Sequence, residues 1–158
     1  MMNTTTKAAG KEQAIVTGLR HLIADTYALI GQTHLAHWNV EGPAFFQLHE
    51  AFQKQYEELF EAVDEIAEHL RALGVLAPGG LATLAKLSPI EEMGAEPAPA
   101  KDYVAHLIDC HEKLVSRCVE LRDAAGEAGD LETEDLAIGR IRAHEKTLWM
   151  LKSFLKHL

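Results

Sequence analysis

The sequence is poor in the residues that cross-link chains or interrupt helices. Two cysteines, five prolines, three tyrosines and 6% aromatic residues are spread over 158 positions. Cys110 and Cys118 fall eight residues apart in a helical pattern, ~12 Å along an axis, which is too far to bridge. A disulfide framework is excluded, and both are expected as small core residues. There is no Cys-x-x-Cys and no His-Glu-x-x-His, which removes zinc ribbons and the common zinc hydrolases. Ser88, Ser116 and Ser153 stand in no nucleophile-elbow context. No run approaches the ~18 apolar residues of a membrane span. Met1 to Lys7 leads into no apolar signal core, so the expected location is cytoplasmic, with no membrane partner. Positive charge is also scarce: 15 Lys and Arg face 24 Asp and Glu, a formal charge of -9. That balance disfavours polyanions and favours cations.

What is abundant is Ala, Leu, Glu and Lys, with 47% hydrophobic residues in a length that suits one domain. Residues 1–12 are expected as a flexible tail and 13–158 as the domain. From Gln13 to His37, Ile15, Leu19, Leu22 and Leu29 recur at helical spacing. Gly42 and Pro43 interrupt the pattern. A second stripe runs through Leu48, Phe52, Leu59, Val63, Ile66 and Leu70 to a glycine cap at Gly74. Residues 75–100 hold four of the five prolines and read as a long crossover, in which 81–87 forms a short helix. A third helix runs from Lys101 to Ala125, Gly126 and Gly129 break the chain, and a fourth starts near Leu131. The fold class is therefore all-α: a ferritin-like four-helix bundle with its long crossover between the second and third helices.

Nine histidines invite a metal search. Glu-x-x-His is absent, so the paired motif that builds a di-iron site within one bundle is missing. His37 ends the first helix, His49 lies in the first turns of the second, and a short turn lets them approach. Asp64 and Glu68 are an i, i+4 carboxylate pair further along the second helix. His49 and Asp64 lie ~22 Å apart along that helix and cannot share an ion within one chain. A two-fold antiparallel dimer joins the imidazoles of one subunit to the carboxylates of its mate, twice. Nitrogen with carboxylate oxygen suits ferrous iron, with zinc and manganese as competitors. By themselves Asp64 and Glu68, set among Glu57, Glu58, Glu61 and Glu65, read as an ordinary solvated face. His34 stands between an accessory ligand and a surface imidazole. His69, His106, His111, His144 and His157 are expected in packing, capping or surface roles.

The run His37-Trp38-Asn39-Val40-x-Gly42-x-x-Phe45-x-x-Leu48-His49, continued by Tyr56, Asp64, Ala67-Glu68 and Leu73-Gly74, resembles the signature of the Dps mini-ferritins. Gly129-Asp130, Thr133, Asp135, His144-Glu145-Lys146 and Trp149-Met150-Leu151 are similar to that family's last helix. The resemblance implies a homo-oligomer, a dodecamer built from two-fold dimers. It also implies a ferroxidase that oxidises Fe(II) with hydrogen peroxide or dioxygen, stores ferric mineral and protects against oxidative damage. It assigns His37 and His49 as ligands from one subunit and Asp64 and Glu68 from the other, with Trp38 beside them as a quencher of oxidising intermediates. One departure stands out: Gln53 occupies a position where the family carries a carboxylate, which makes it a weak ligand for a second iron.

By the same resemblance, the acidic segment around Asp130 and Asp135 lines an iron-entry pore, although helix-dipole preference explains part of it. The family's DNA-binding members use basic tails, whereas the tail here holds only Lys7 and Lys11, so DNA binding is expected to be weak or absent. The alternatives are a DNA-compacting or structural assembly whose metal site has lapsed at Gln53, and a zinc or manganese binder without turnover.

Overall fold

The computed structural model describes residues 4–156. It contains α1 (Thr4–Asn39), α2 (Phe45–Ala72), α3 (Leu81–Leu87), α4 (Ala100–Ala128) and α5 (Leu131–Leu155). The four long helices close around a core in which Leu19, Leu29, Phe52, Ile66, Leu107 and Leu114 are fully buried. Cys110 and Cys118 lie in it unbridged. Burial pushes their thiols up to about 11 and about 12, so both stay protonated and inert at neutral pH. Among the described residues no helix is long and apolar enough to cross a membrane.

Two boundaries differ from expectation. Residues 4–12, expected as a tail, are helical and extend α1 back to Thr4; Met1 to Asn3 lie outside the described residues, as does His157. The apolar stripe begins only at Ile15, so periodicity registers nothing earlier. Ala9, Lys11 and Glu12 nevertheless propagate a helix well. The Lys11 ammonium donates to the Glu127 carbonyl, fastening the start of α1 to the end of α4. At the other boundary, α4 runs through Gly126 and stops at Gly129, whose φ of 74° makes it the left-handed cap. Gly126 provides room instead: a Cβ there would stand 3.1 Å from Glu134 Oε1.

The crossover is pinned to α1 by polar side chains. His21 Nδ1 donates to the Leu87 carbonyl at 2.8 Å, and the Ser88 hydroxyl donates to Asp25 Oδ1 at 2.8 Å. The Met93 amide donates to Gln32 Oε1 at 2.7 Å. Asp25 is buried and also accepts from Arg117 Nε of α4 at 3.0 Å. Polar contacts likewise join α2 to α5. The Thr133 hydroxyl donates to Asp130 Oδ2 at 2.6 Å, so its oxygen accepts from His69 Nε2 at 2.7 Å. Further along, the Arg140 guanidinium forks onto the Glu58 carboxylate.

His111 of α4 and His144 of α5 meet in the core, with their Nδ1 atoms 2.9 Å apart. Burial, reinforced by the nearby Arg140 charge, lowers His111 to about 3; burial, then the neighbouring His111 and Arg140, holds His144 well below the usual imidazole range. Both are neutral when folded and take up protons more readily when unfolded. Their contribution to stability is therefore complete above about pH 6.5 and is lost as the pH falls from there toward about 3. The midpoint of thermal unfolding is expected to decline through that window. A His111→Leu/His144→Leu variant should show a shallower decline, and an unchanged slope would contradict the assignment.

Candidate metal centre

The turn after α1 sets the geometry. Gly42 adopts φ of 102° and its carbonyl accepts from the Phe45 amide at 3.0 Å, which folds α2 back along α1. The fold-back brings His37 and His49 together in a reciprocal pair. His37 Nδ1 donates to the His49 carbonyl and His49 Nδ1 donates to the His37 carbonyl, each at 2.8 Å. The His37 carbonyl lies in the last turn of α1, where helical partners run out. The rings stack with centroids 3.7 Å apart and planes at 15°. A carbonyl can only accept, so each Nδ1 carries a proton, and in the neutral tautomer that this selects, the lone pair is on Nε2. Neither Nε2 has a partner among the described residues. This is the arrangement that orients an imidazole for a metal: one nitrogen anchored, the other left basic.

Aromatic rings hold the pair from both sides. Phe45, one turn before His49, stacks on it at 5.0 Å, and Tyr56 meets His37 edge-on at 5.2 Å. His34 is part of this packing. It lies flat against Trp38, at 4.9 Å and 4°, and tilts against Tyr56 at 4.4 Å. Burial, followed by the neighbouring His37, lowers its pKa below the usual imidazole value, which favours its neutral form near pH 7. Trp38 itself is 68% exposed.

The other expected residues lie elsewhere. Asp64 and Glu68 are exposed on α2, fifteen and nineteen residues beyond His49, at least ~22 Å away along the axis. Asp64 lines an open cavity of about 650 Å³ with Tyr27, Phe60, Glu61, Leu81 and Leu84. Among the described residues, no three His, Cys, Asp or Glu side chains converge to hold a metal. Gln53 is exposed one turn after His49, and its amide nitrogen donates to Glu57 Oε1 at 2.8 Å. This partner was not anticipated from the sequence, although its i+4 spacing makes it visible there. Asp130 proves to be the N-cap of α5. Both its oxygens are engaged by Thr133, through the amide at 3.0 Å and the hydroxyl at 2.6 Å. Asp135 is exposed.

A four-helix bundle with one long crossover is the architecture of the ferritin-like class. The Ferritin-like domain family model matches residues 16–158. The chain is 33% identical over 147 residues to the DNA protection during starvation protein of Porphyromonas gingivalis, covering 91% of this chain and 92% of that one. It is 34% identical to an uncharacterized low temperature-induced protein of Nostoc sp., covering 92% and 82%. Among solved structures, Dps from Bacillus brevis superposes with a TM-score of 0.89 at 31% identity over 98% of this chain and 100% of that one. Dps from Vibrio cholerae, described as a member of a broad superfamily of ferritin-like diiron-carboxylate proteins, gives 0.88 at 29% identity, covering 93% and 92%. The chain belongs to the Dps family of ferritin-like proteins.

Proposed function

We propose that the chain is a ferroxidase subunit, working in the cytoplasm, whose centres form only between two-fold related copies in a dodecameric shell. The observation that carries this reading is the division of ligands. Two imidazoles locked with Nε2 free stand at one end of α2, and two exposed carboxylates stand too far along it to reach them. The surface beside Asp64 supports self-association, because Tyr27, Phe60 and Leu81 around that cavity are exposed apolar side chains. His37 and His49 hold ferrous iron through Nε2, while Asp64 and Glu68 of the partner subunit supply charge. Zinc and manganese compete for the same donors. Two Fe(II) deliver two electrons to one hydrogen peroxide, which takes up two protons and leaves as two waters. The ferric product is stored as mineral in the shell, which removes both reagents of hydroxyl-radical formation. In this reading Trp38, exposed and stacked on His34, intercepts stray oxidising equivalents. Anaerobic ferrous loading followed by a peroxide pulse tests the reading: ferric absorbance should rise with two irons per peroxide, and its absence would contradict turnover.

Gln53 favours inequality between the two irons of each centre. An amide oxygen is neutral and binds a dication more weakly than a carboxylate does. Calorimetric titration with Co(II) should resolve one tight and one weak site per subunit, about tenfold apart or more. Gln53→Glu should narrow that gap, whereas two equal sites in the unaltered protein would rule out the asymmetry. The second reading, a DNA-compacting or structural assembly with a lapsed metal site, draws on the same residue and predicts no peroxide turnover at all.

The acidic subunit argues against DNA as a partner: a charge of -9 on each copy is multiplied by assembly. A gel-shift in ~150 mM salt, where phosphate contacts are already weakened, should show no co-migration; a stable complex would overturn this. Asp135, exposed near the start of α5, is the stronger remaining candidate for an iron-entry pore, because the Asp130 carboxylate is occupied by its cap.

A further inference from the structure

The interior of the bundle carries a polar layer that the metal centre does not use. Arg140 forks onto Glu58, and its Nη2 also lies 3.4 Å from His144 Nε2. A guanidinium only donates, so His144 Nε2 accepts and its proton is on Nδ1. That proton points at His111 Nδ1, 2.9 Å away, which must then accept. His111 is consequently protonated on Nε2, an atom with no partner. Arg140 Nε and Gln55 Oε1 are also sealed from solvent without partners. His111 is 2% exposed and Arg140 7%. Leaving two donors and one acceptor unpaired in a core is costly enough that native proteins rarely do it.

Helix register sets the three residues at one level of the bundle. The pairs His69 with Thr133 and Glu58 with Arg140 set α2 antiparallel to α5. One turn back from Glu58 is Gln55, and one turn on from Arg140 is His144. Gln55 therefore lies level with the imidazole pair. We propose that this layer is a binding site for one water-sized oxygen ligand, which accepts from His111 Nε2 and Arg140 Nε and donates to Gln55 Oε1. Water satisfies that demand with three hydrogen bonds, the usual number for a buried molecule. With it the layer closes into a circuit through Arg140, His144, His111 and the ligand that ties α2 to α4 and α5 from inside. A metal ion does not fit: the facing Nδ1 atoms already share a proton, and the neighbouring guanidinium repels a cation.

Joint neutron and X-ray diffraction from crystals of the assembled protein tests this directly. The expected result is one oxygen within hydrogen-bonding distance of His111 Nε2, Arg140 Nε and Gln55 Oε1, with deuterium on His111 Nε2 and His144 Nδ1. A direct Gln55 to His111 bond, an anomalous metal peak, or deuterium on His144 Nε2 would overturn the proposal. Gln55→Leu should lose the oxygen from the map and lower the unfolding midpoint by about 5 °C. An oxygen that stays seated with an unchanged midpoint in that variant would equally count against it.

Discussion

Replacing His49 by Ala is expected to abolish rapid iron oxidation, and replacing Asp64 by Ala should do the same. Yet co-assembling the two inactive proteins should restore about a quarter of the wild-type rate. In the proposed arrangement a two-fold centre takes its imidazoles from one subunit and its carboxylates from the other. About half of randomly formed dimers combine one copy of each variant. In such a dimer one centre carries both defects and the other carries neither. Stopped-flow absorbance after refolding the mixed chains reads the recovered fraction. A site contained within one subunit gives no recovery at any mixing ratio, so the two arrangements differ in kind. The singles should retain their assembly, because His49 is only half-buried and Asp64 is exposed.

Asp25→Ala is expected to cost about 3 kcal/mol, since it removes the charged acceptor of both the Ser88 hydroxyl and Arg117, which keeps only the exposed Glu120 as partner. Asp25 accepts from Arg117 of α4 and from Ser88 at the end of α3. It is thus the junction between the bundle and the crossover. For a domain of this size the loss corresponds to a fall of about 6 to 12 °C in the unfolding midpoint. The effect should reach function as well as stability: Leu81 and Leu84 of α3 wall the cavity that holds Asp64, and a loosened crossover disturbs that wall. Asp25→Asn keeps an acceptor for the Ser88 hydroxyl and should lose less. Equal midpoints for Asp25→Ala and wild type by calorimetry would contradict the role assigned to this carboxylate.

The parts of the structure legible in the sequence are those written in periodicity and punctuation. α2 and α5 follow their apolar stripes, Gly74 and Gly129 stand where left-handed caps are needed, and α3 occupies Leu81–Leu87 as its composition indicates. The start of α1 was not legible, because Ala and Lys extend a helix without any apolar signal. Gly126 misled because a glycine that makes room for Glu134 looks the same in sequence as one that ends a helix.

At the candidate centre, residue types and spacing show that His37 and His49 approach and that Asp64 cannot join them. They do not show how the imidazoles are held. The reciprocal bonds run from side chain to main chain, and a carbonyl leaves no trace in residue identity. The role of His34 is half hidden: its stacking on Trp38 is an i, i+4 contact within α1 that the spacing allows, whereas its contact with Tyr56 needs the α1 to α2 register, which only the turn at Gly42 sets. Asp130 shows the converse, since its spacing to Thr133 is a capping signal that its acidic surroundings obscure.

The central claim is that each centre is completed by a second copy of the chain. Crystals soaked anaerobically with ferrous iron, with data collected at the iron absorption edge, test it most directly. The expected result is an anomalous peak bonded to Nε2 of His37 and His49 from one subunit and to Asp64 and Glu68 of the partner subunit. Iron bound wholly within one subunit, or away from these four residues, would contradict it.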